Sequence, residues 1–339
     1  MITASVPPRQ IPASWQREIA EAITQPAELA EALGLPLEAL GAAATAFPLR
    51  VPRSFVARMR RGDPHDPLLR QILPVAEELR EQPGYLADPL AEHAAQRAPA
   101  LLQKYRARAL LITTETCAVH CRYCFRREFP YTEQRGAGER WGEALAALAA
   151  DTSIEEIILS GGDPLSLGNA RLSALGERLA RISHLRRVRV HTRLPVVLPS
   201  RVDAGLLRLV RASVLPMVFV LHANHPAEID AHVRAACAAL REAGATLLNQ
   251  TVLLAGVNDD ATVLALLSQR LFEAGVLPYY LHALDPVRGA AHFAVPDERA
   301  RRLAGALAAR LPGYLVPRLV REIPGAAAKT ALTPISGTT

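Results

Sequence analysis

From residue 109 onward the apolar positions of the chain switch between two spacings. Short runs dense in Val, Ile, Leu and Tyr ("ALLITT", "EEIILSGGD", "RVRVHTRLP", "MVFVLHANH", "TLLNQTVLL", "LPYYLHALD") read as strands. Between them lie longer stretches whose apolar residues recur every three to four positions, such as "RWGEALAALAAD", "NARLSALGERLARIS", "VDAGLLRLVRAS" and "ATVLALLSQRLFEAG". Strand and helix in alternation imply βα units and a parallel sheet. Six such units predict an α/β fold built as a partial (βα)6 barrel, with an open doubly wound sheet as the alternative. Residues 1–100 read differently: "EIAEAITQPAELAEALGL" and "DPLLRQILPVAEELR" have helical spacing broken by prolines. A helical N-terminal layer over 1–100 is therefore expected before a barrel over 101–335.

Polar residues collect where each strand should end. They are Ser160, Gly161, Gly162 and Asp163 after the second, His191 and Arg193 on the third, and His222 and Asn224 on the fourth. Asn249 and Gln250 follow in the fifth, His282 and Asp285 after the sixth. Parallel α/β enzymes place their active sites at the carboxyl ends of strands, so apolar strands tipped with polar groups point to an enzyme.

With 339 residues, 50% of them hydrophobic, the chain can bury a full core. No apolar run approaches the roughly 18 residues of a membrane span, and the opening "MITASVPPRQIPASWQREIA" lacks a signal-peptide pattern. A cytoplasmic protein with no membrane partner is expected. The net charge of +6 invites a nucleic-acid reading, but the basic residues are spread along helices and no aromatic-and-basic stripe accompanies them. No nucleic-acid partner is expected.

Three of the four cysteines fall within "CAVHCRYCFRR", residues 117 to 127, directly after the first strand of the series. In a reducing compartment such a cluster holds metal or does chemistry rather than forming disulfides. Cys237 lies in the amphipathic stretch "IDAHVRAACAALREAG" and reads as a small core residue. Structural zinc takes four ligands, so His120 or a distant His would have to join Cys117, Cys121 and Cys124. A cubane iron–sulfur cluster usually takes four cysteines; with three, one iron keeps an open position for a substrate or a second cofactor.

The C-x3-C-x2-C spacing, with Tyr123 before the last cysteine, resembles the cluster loop of radical S-adenosylmethionine enzymes, and "SGGDP" (160–164) resembles their glycine-rich strand end. "CRYCFRR", "LSGGDPL", "TRLPVVLPSR", "HANHPAEI", "NQTVLLAGVND", "LHALDPVRGAAHF" and "IPGAAAKT", in that order over roughly residues 45 to 335, resemble the lysine 2,3-aminomutase family. Within it the chain is most similar to the branch that makes (R)-β-lysine for elongation factor P.

The resemblance implies a radical-SAM barrel and three cofactors. A [4Fe–4S] cluster on Cys117, Cys121 and Cys124 would bind S-adenosylmethionine at its open iron and cleave it reductively to a 5'-deoxyadenosyl radical. Pyridoxal 5'-phosphate would supply the π-system through which nitrogen migrates from Cα to Cβ. Lys329, one of only two lysines in the chain beside Lys104, matches the family's cofactor lysine, although Ala326 to Ala328 replace part of its glycine run. By the same resemblance Lys104, Tyr105 and Arg108 would meet the cofactor phosphate, with Lys104 where an arginine is often found, and Gln250 would face its ring. Ser160, Gly161, Gly162, Asp163, His191 and Arg193 would contact the cofactors at the strand ends. Arg126 would grip the substrate carboxylate, and Asp285 and Glu322 its distal amine, with Glu322 where lysine mutases typically carry Asp. Asp260 stands where longer relatives carry a metal-binding cysteine, so no structural zinc is expected. Implied partners are L-lysine, a reducing flavodoxin or ferredoxin-type donor, and a functional link to elongation factor P and its lysyl ligase. Two other readings remain open: a mutase for free lysine or another cationic amino acid, and a non-catalytic iron–sulfur binding partner of a translation factor.

Overall fold

The computed structural model describes residues 14–129 and 137–335. Ten strands form one sheet: β1 (Gln96–Ala98), β2 (Leu101–Tyr105), β3 (Arg108–Thr114), β4 (Glu156–Gly161), β5 (Arg187–Thr192), β6 (Met217–Leu221), β7 (Thr246–Val252), β8 (Leu277–His282), β9 (Arg318–Arg321) and β10 (Thr330–Ala331). Their spatial order is their chain order, β1 to β10 without reversal. A doubly wound sheet reverses direction at a switch point, so this order excludes that alternative and leaves the partial barrel. Strands β3 to β9 are parallel, while β1, β2 and β10 are antiparallel additions at the two edges.

The six expected βα units are present. Their helices are Ala137–Ala150, Asn169–Ala180, Ala204–Ala212, Ala231–Glu242, Ala261–Glu273 and Asp297–Arg310. Three of these helices start at an Asp-Ala pair for a local reason. Asp203, Asp230 and Asp260 each accept a hydrogen bond from backbone N–H groups of the first turn, satisfying donors that the helix leaves orphaned. Asp260 is thus a helix cap. Cys237 is buried in its helix, as its pattern predicted.

The seventh parallel strand, β9, goes beyond the six-unit reading. Its four residues, "RLVR", are too short to show a period, and it is held by pairing with β8 (Leu281 opposite Leu319). β10 then folds back on β9, setting Thr330 opposite Arg321 and bringing Lys329 beside Glu322.

The N-terminal segment packs as short helices, Ser14–Ala20 and Pro26–Leu33 among them. Trp15, Leu33 and Phe55 belong to the same apolar core as Leu111, Leu159 and Leu247 of the barrel. Trp15 lies under the Arg201 guanidinium, 4.5 Å from it, and donates to Asp203 at 3.2 Å. Among the described residues no helix is long and apolar enough to cross a membrane.

Candidate active site

A cavity of about 480 Å³ runs along the inner face of the parallel strands. Every residue to which the family resemblance gives a site role lines it, from the cysteine loop to Lys329, whereas Asn224 and Asn249 do not. The cysteine loop leaves β3, Ser160 to Asp163 end β4, and Asp285 and Glu322 follow β8 and β9, all at carboxyl ends. Arg108 and Arg318 instead open β3 and β9, so the cavity extends toward the amino-terminal ends of the strands as well.

Ionic side chains form an alternating series across this space. Arg126 is bound in a fork by Glu92 (Nε to Oε2 2.6 Å, Nη2 to Oε1 2.8 Å) and also donates to Ser160 Oγ at 2.9 Å. Glu92 Oε1 lies 3.1 Å from Lys104 Nζ, which donates to Glu322 Oε1 at 3.0 Å. Glu322 Oε2 in turn accepts from Lys329. Both lysines of the chain therefore meet one carboxylate. Burial alone would raise the Glu322 pKa, but the two ammonium groups bring it down to about 2. Asp285 goes the other way: burial, then the neighbouring charge of Glu322, pushes it up to about 7. His222 and His282 are lowered to about 3 by burial and stand neutral in the wall.

The cysteine loop is fixed from beneath by a buried ion pair. Glu78 accepts from Arg122 Nε at 2.7 Å and Nη2 at 2.5 Å, and also from Arg127. Arg122 is fully buried between Cys121 and Tyr123, and its backbone N–H donates to the Gln71 carbonyl at 2.9 Å. Replacing Glu78 with Ala leaves two buried guanidinium groups without their carboxylate. The expected cost is about 3–5 kcal/mol, read as a lowered chemical-denaturation midpoint and loss of iron from the loop.

The Radical SAM superfamily profile matches residues 111–267. The L-lysine 2,3-aminomutase of Escherichia coli (strain K12) is 47% identical over 98% of this chain and 97% of its own length. That of Haemophilus influenzae is 46% identical over 94% of this chain and 95% of its own. The chain belongs to the L-lysine 2,3-aminomutase family. The Clostridium subterminale member is more distant, 35% identical over 80% of this chain but only 66% of that longer protein. As a family member the protein is a radical SAM isomerase, and membership implies a [4Fe–4S] cluster, S-adenosylmethionine and pyridoxal phosphate.

The residues present fit these groups. All three loop cysteines are free thiols. Among the described residues no three ligating side chains converge on one ion. A cubane asks for something else, one thiolate per iron on separate irons. Burial, followed by the charge of its neighbours Cys124 and Cys121 respectively, raises the thiol pKa of Cys117 and takes that of Cys124 to about 11. Such thiols ionise readily only against a metal. Further along the cavity, Tyr105 Oη, His191 Nε2, His282 Nε2 and Asp285 Oδ1 are buried without a hydrogen-bond partner. Orphaned polar atoms in a cavity wall mark a place for a polar ligand. Arg108 stacks on Tyr105 at 4.5 Å and Arg318 on Tyr280 at 5.1 Å, so the wall there offers cationic groups suited to a phosphate.

Three expectations change with the geometry. Lys104 does not present its amine as a free phosphate contact, because Glu92 and Glu322 hold it; Arg108 and Arg318 are better placed in charge for that role. Asp163 has its carboxylate fully taken: Oδ1 accepts from Thr192 Oγ1 (2.7 Å) and Leu165 N (3.0 Å), Oδ2 from Arg193 N (2.7 Å) and Leu194 N (3.1 Å). It ties the end of β4 to the end of β5 rather than facing a ligand. A Cβ on Gly161 (φ +114°) would meet the Thr114 carbonyl at 2.6 Å, and one on Gly162 the Thr116 carbonyl at 2.5 Å. The close approach these glycines permit is made by the chain's own backbone leading into the cysteine loop.

Glu92 escaped the sequence reading. It stands in "DPLAEHAAQ", without a period or motif, and its partners are 34 and 12 positions away in the chain (Arg126 and Lys104). Arg193 and Gln250 both line the cavity, Gln250 Nε2 lying 2.7 Å from His222 Nε2.

Proposed function

We propose that the protein converts L-lysine to (R)-β-lysine, and that the product serves the modification of elongation factor P through a separate ligase. The observation that carries the lysine assignment is the pair Asp285 and Glu322 in one cavity with Lys329 and the Arg126 fork. Lysine brings an α-carboxylate and a distal ammonium group, and the cavity offers Arg126 for the first and Asp285 and Glu322 for the second. The near-complete match to relatives named L-lysine 2,3-aminomutase supports the same reading.

When bound, the cluster with S-adenosylmethionine supplies a hydrogen-abstracting radical, and pyridoxal phosphate supplies the π-system through which nitrogen moves. Cys117, Cys121 and Cys124 would hold the first, and Lys329 would hold the second covalently, with Arg108, Tyr105 and Arg318 on its phosphate and Gln250 toward its ring. Lys329 Nζ must first leave Glu322, and that exchange frees the carboxylate for an incoming ammonium group. Arg126 would take the substrate carboxylate in its fork, displacing Glu92. Asp285 and Glu322 would accept the distal ammonium. The neutral, buried histidines exclude water and add no competing charge near a reactive radical.

The test uses the full chain, purified without air and loaded with iron, sulfide and pyridoxal phosphate, then given S-adenosylmethionine, reductant and L-lysine. β-Lysine of R configuration, resolved by chiral mass spectrometry, is the expected product. Cleavage of S-adenosylmethionine without β-lysine would overturn the substrate assignment. A flavodoxin or ferredoxin-type donor replacing the chemical reductant, and transfer of the product to elongation factor P by its lysyl ligase, complete the proposal for a cytoplasmic enzyme.

A further inference from the structure

The cysteine loop has one neighbour whose placement the aminomutase chemistry does not use. Arg193, at the end of β5 and 5% exposed, donates from Nη1 to Cys121 Sγ at 2.7 Å. Its other amino group, Nη2, donates to Gln71 Oε1 at 2.7 Å and to Glu228 Oε2 at 3.1 Å. The guanidinium lies between two rings, 5.4 Å from the centre of Phe55 and 5.6 Å from that of Tyr123. Its backbone is held too, by the Asp163 carboxylate.

The anchors are themselves fixed. Glu228 is fully buried and accepts from the backbone N–H groups of Asn224 (2.9 Å) and His225 (3.0 Å) and from Gln71 Nε2 (3.1 Å). Gln71 Oε1 also accepts from Asn224 Nδ2 at 2.9 Å. A buried cation with this many constraints is aimed, and what it is aimed at is the sulfur of the middle cysteine.

We propose that Arg193 sets the reduction potential of the cluster, acting as a positioning residue through the hydrogen bond its guanidinium donates to Cys121. The inference rests on the reading of the loop as a three-thiolate [4Fe–4S] site. Such a cluster has a core charge of 2+ and three thiolates, so one electron from an external low-potential donor takes it from a net charge of 1− to 2−, with no proton moved. A cation fixed against one thiolate stabilises the added electron, and a hydrogen bond to sulfur withdraws density in the same direction. Both effects act in a buried wall where solvent screens little. Arg193 therefore makes the cluster easier to reduce. Glu228 opposes it in part, as the one carboxylate the guanidinium itself meets among the described residues.

The experiment is a dithionite redox titration of the reconstituted full-length protein, followed by the electron paramagnetic resonance signal of the reduced cluster. In Arg193→Gln the ratio of reduced to oxidised cluster, at the wild-type midpoint, is expected to fall at least ten-fold, which is about 59 mV for one electron. Arg193→Lys keeps the charge and should recover most of that ratio. Glu228→Gln removes the opposing carboxylate and should raise the ratio, a change of opposite sign that general loosening of the loop would not produce. Intact clusters with wild-type midpoints in Arg193→Gln and Glu228→Gln would overturn the inference. If Arg193→Gln fails to hold iron, Glu228→Gln decides alone: an upward shift supports the inference and no shift or a downward one overturns it. A wild-type protein that shows no [4Fe–4S] signal would instead sink the underlying reading of the loop.

Discussion

Lys329→Ala is expected to make no detectable β-lysine while still cleaving S-adenosylmethionine. Lys329 is the amine brought by the β9–β10 return into the cavity beside Glu322. Covalent attachment holds a cofactor at an effective concentration far above anything in solution, so its loss should cost on the order of 10³-fold or more in turnover. Lys104 is a poor replacement, since it would have to leave two carboxylates, Glu92 and Glu322, where Lys329 leaves Glu322. Lys329→Arg separates the covalent role from the ionic one: a guanidinium keeps the pair with Glu322 but cannot form the bond to the cofactor. Its activity should be as low as that of the Ala variant, with a near-wild-type unfolding midpoint. The absorption of bound pyridoxal phosphate checks the cause, and either variant retaining both that absorption and product formation would refute the assignment of Lys329.

The second large effect belongs to the two carboxylates. A unit-charge pair near 3 Å contributes about 5 kcal/mol at an effective dielectric near 20, before desolvation. Removing one partner of a buried, hydrogen-bonded pair costs about 2–5 kcal/mol in binding. Asp285→Asn and Glu322→Gln should therefore each raise the KM for lysine by roughly 30-fold or more. The preference for lysine over an uncharged side chain of similar length should shrink by the same factor. Norleucine as a competitor measures this, and an unchanged preference in both variants would mean that the distal amine binds elsewhere.

The same pair sets a pH dependence. With its pKa at about 7, Asp285 is largely protonated and neutral at pH 6 and largely charged at pH 8 in the free enzyme. Attraction for a cation therefore grows as pH rises through 7. Because kcat/KM reports the free enzyme, its profile should rise over that interval with a midpoint near 7 and lose that limb in Asp285→Asn. Glu322 keeps Lys104 as a partner when Lys329 leaves it, so its carboxylate is still held below the usual range and contributes no step over that interval.

Much of this molecule could be read from local pattern alone. Alternating periods predicted six βα units because a strand repeats every two residues and a helix every 3.6, and each unit needs only its own stretch of chain to show it. Asp-Ala pairs at 203, 230 and 260 mark helix starts by the same local logic, since a cap reaches only the first turn. The cysteine loop was legible because three thiols stand out by residue type and spacing, and Lys329 through the resemblance of its loop to the family's lysine loop.

What the fold decided was which charges meet. Glu322 reaches the cavity only because the four-residue β9, too short to have a period, pairs with β8. Lys104 finds Glu322 across 218 positions of chain, and Arg193 finds Gln71 across 122. Glu92 carries no motif, and Asp163 looked available until four donors from two strand ends converged on it. Residue type tells that a carboxylate wants a cation or an N–H donor. Which donor it gets depends on strand order in the sheet, and sequence periodicity holds no record of that order.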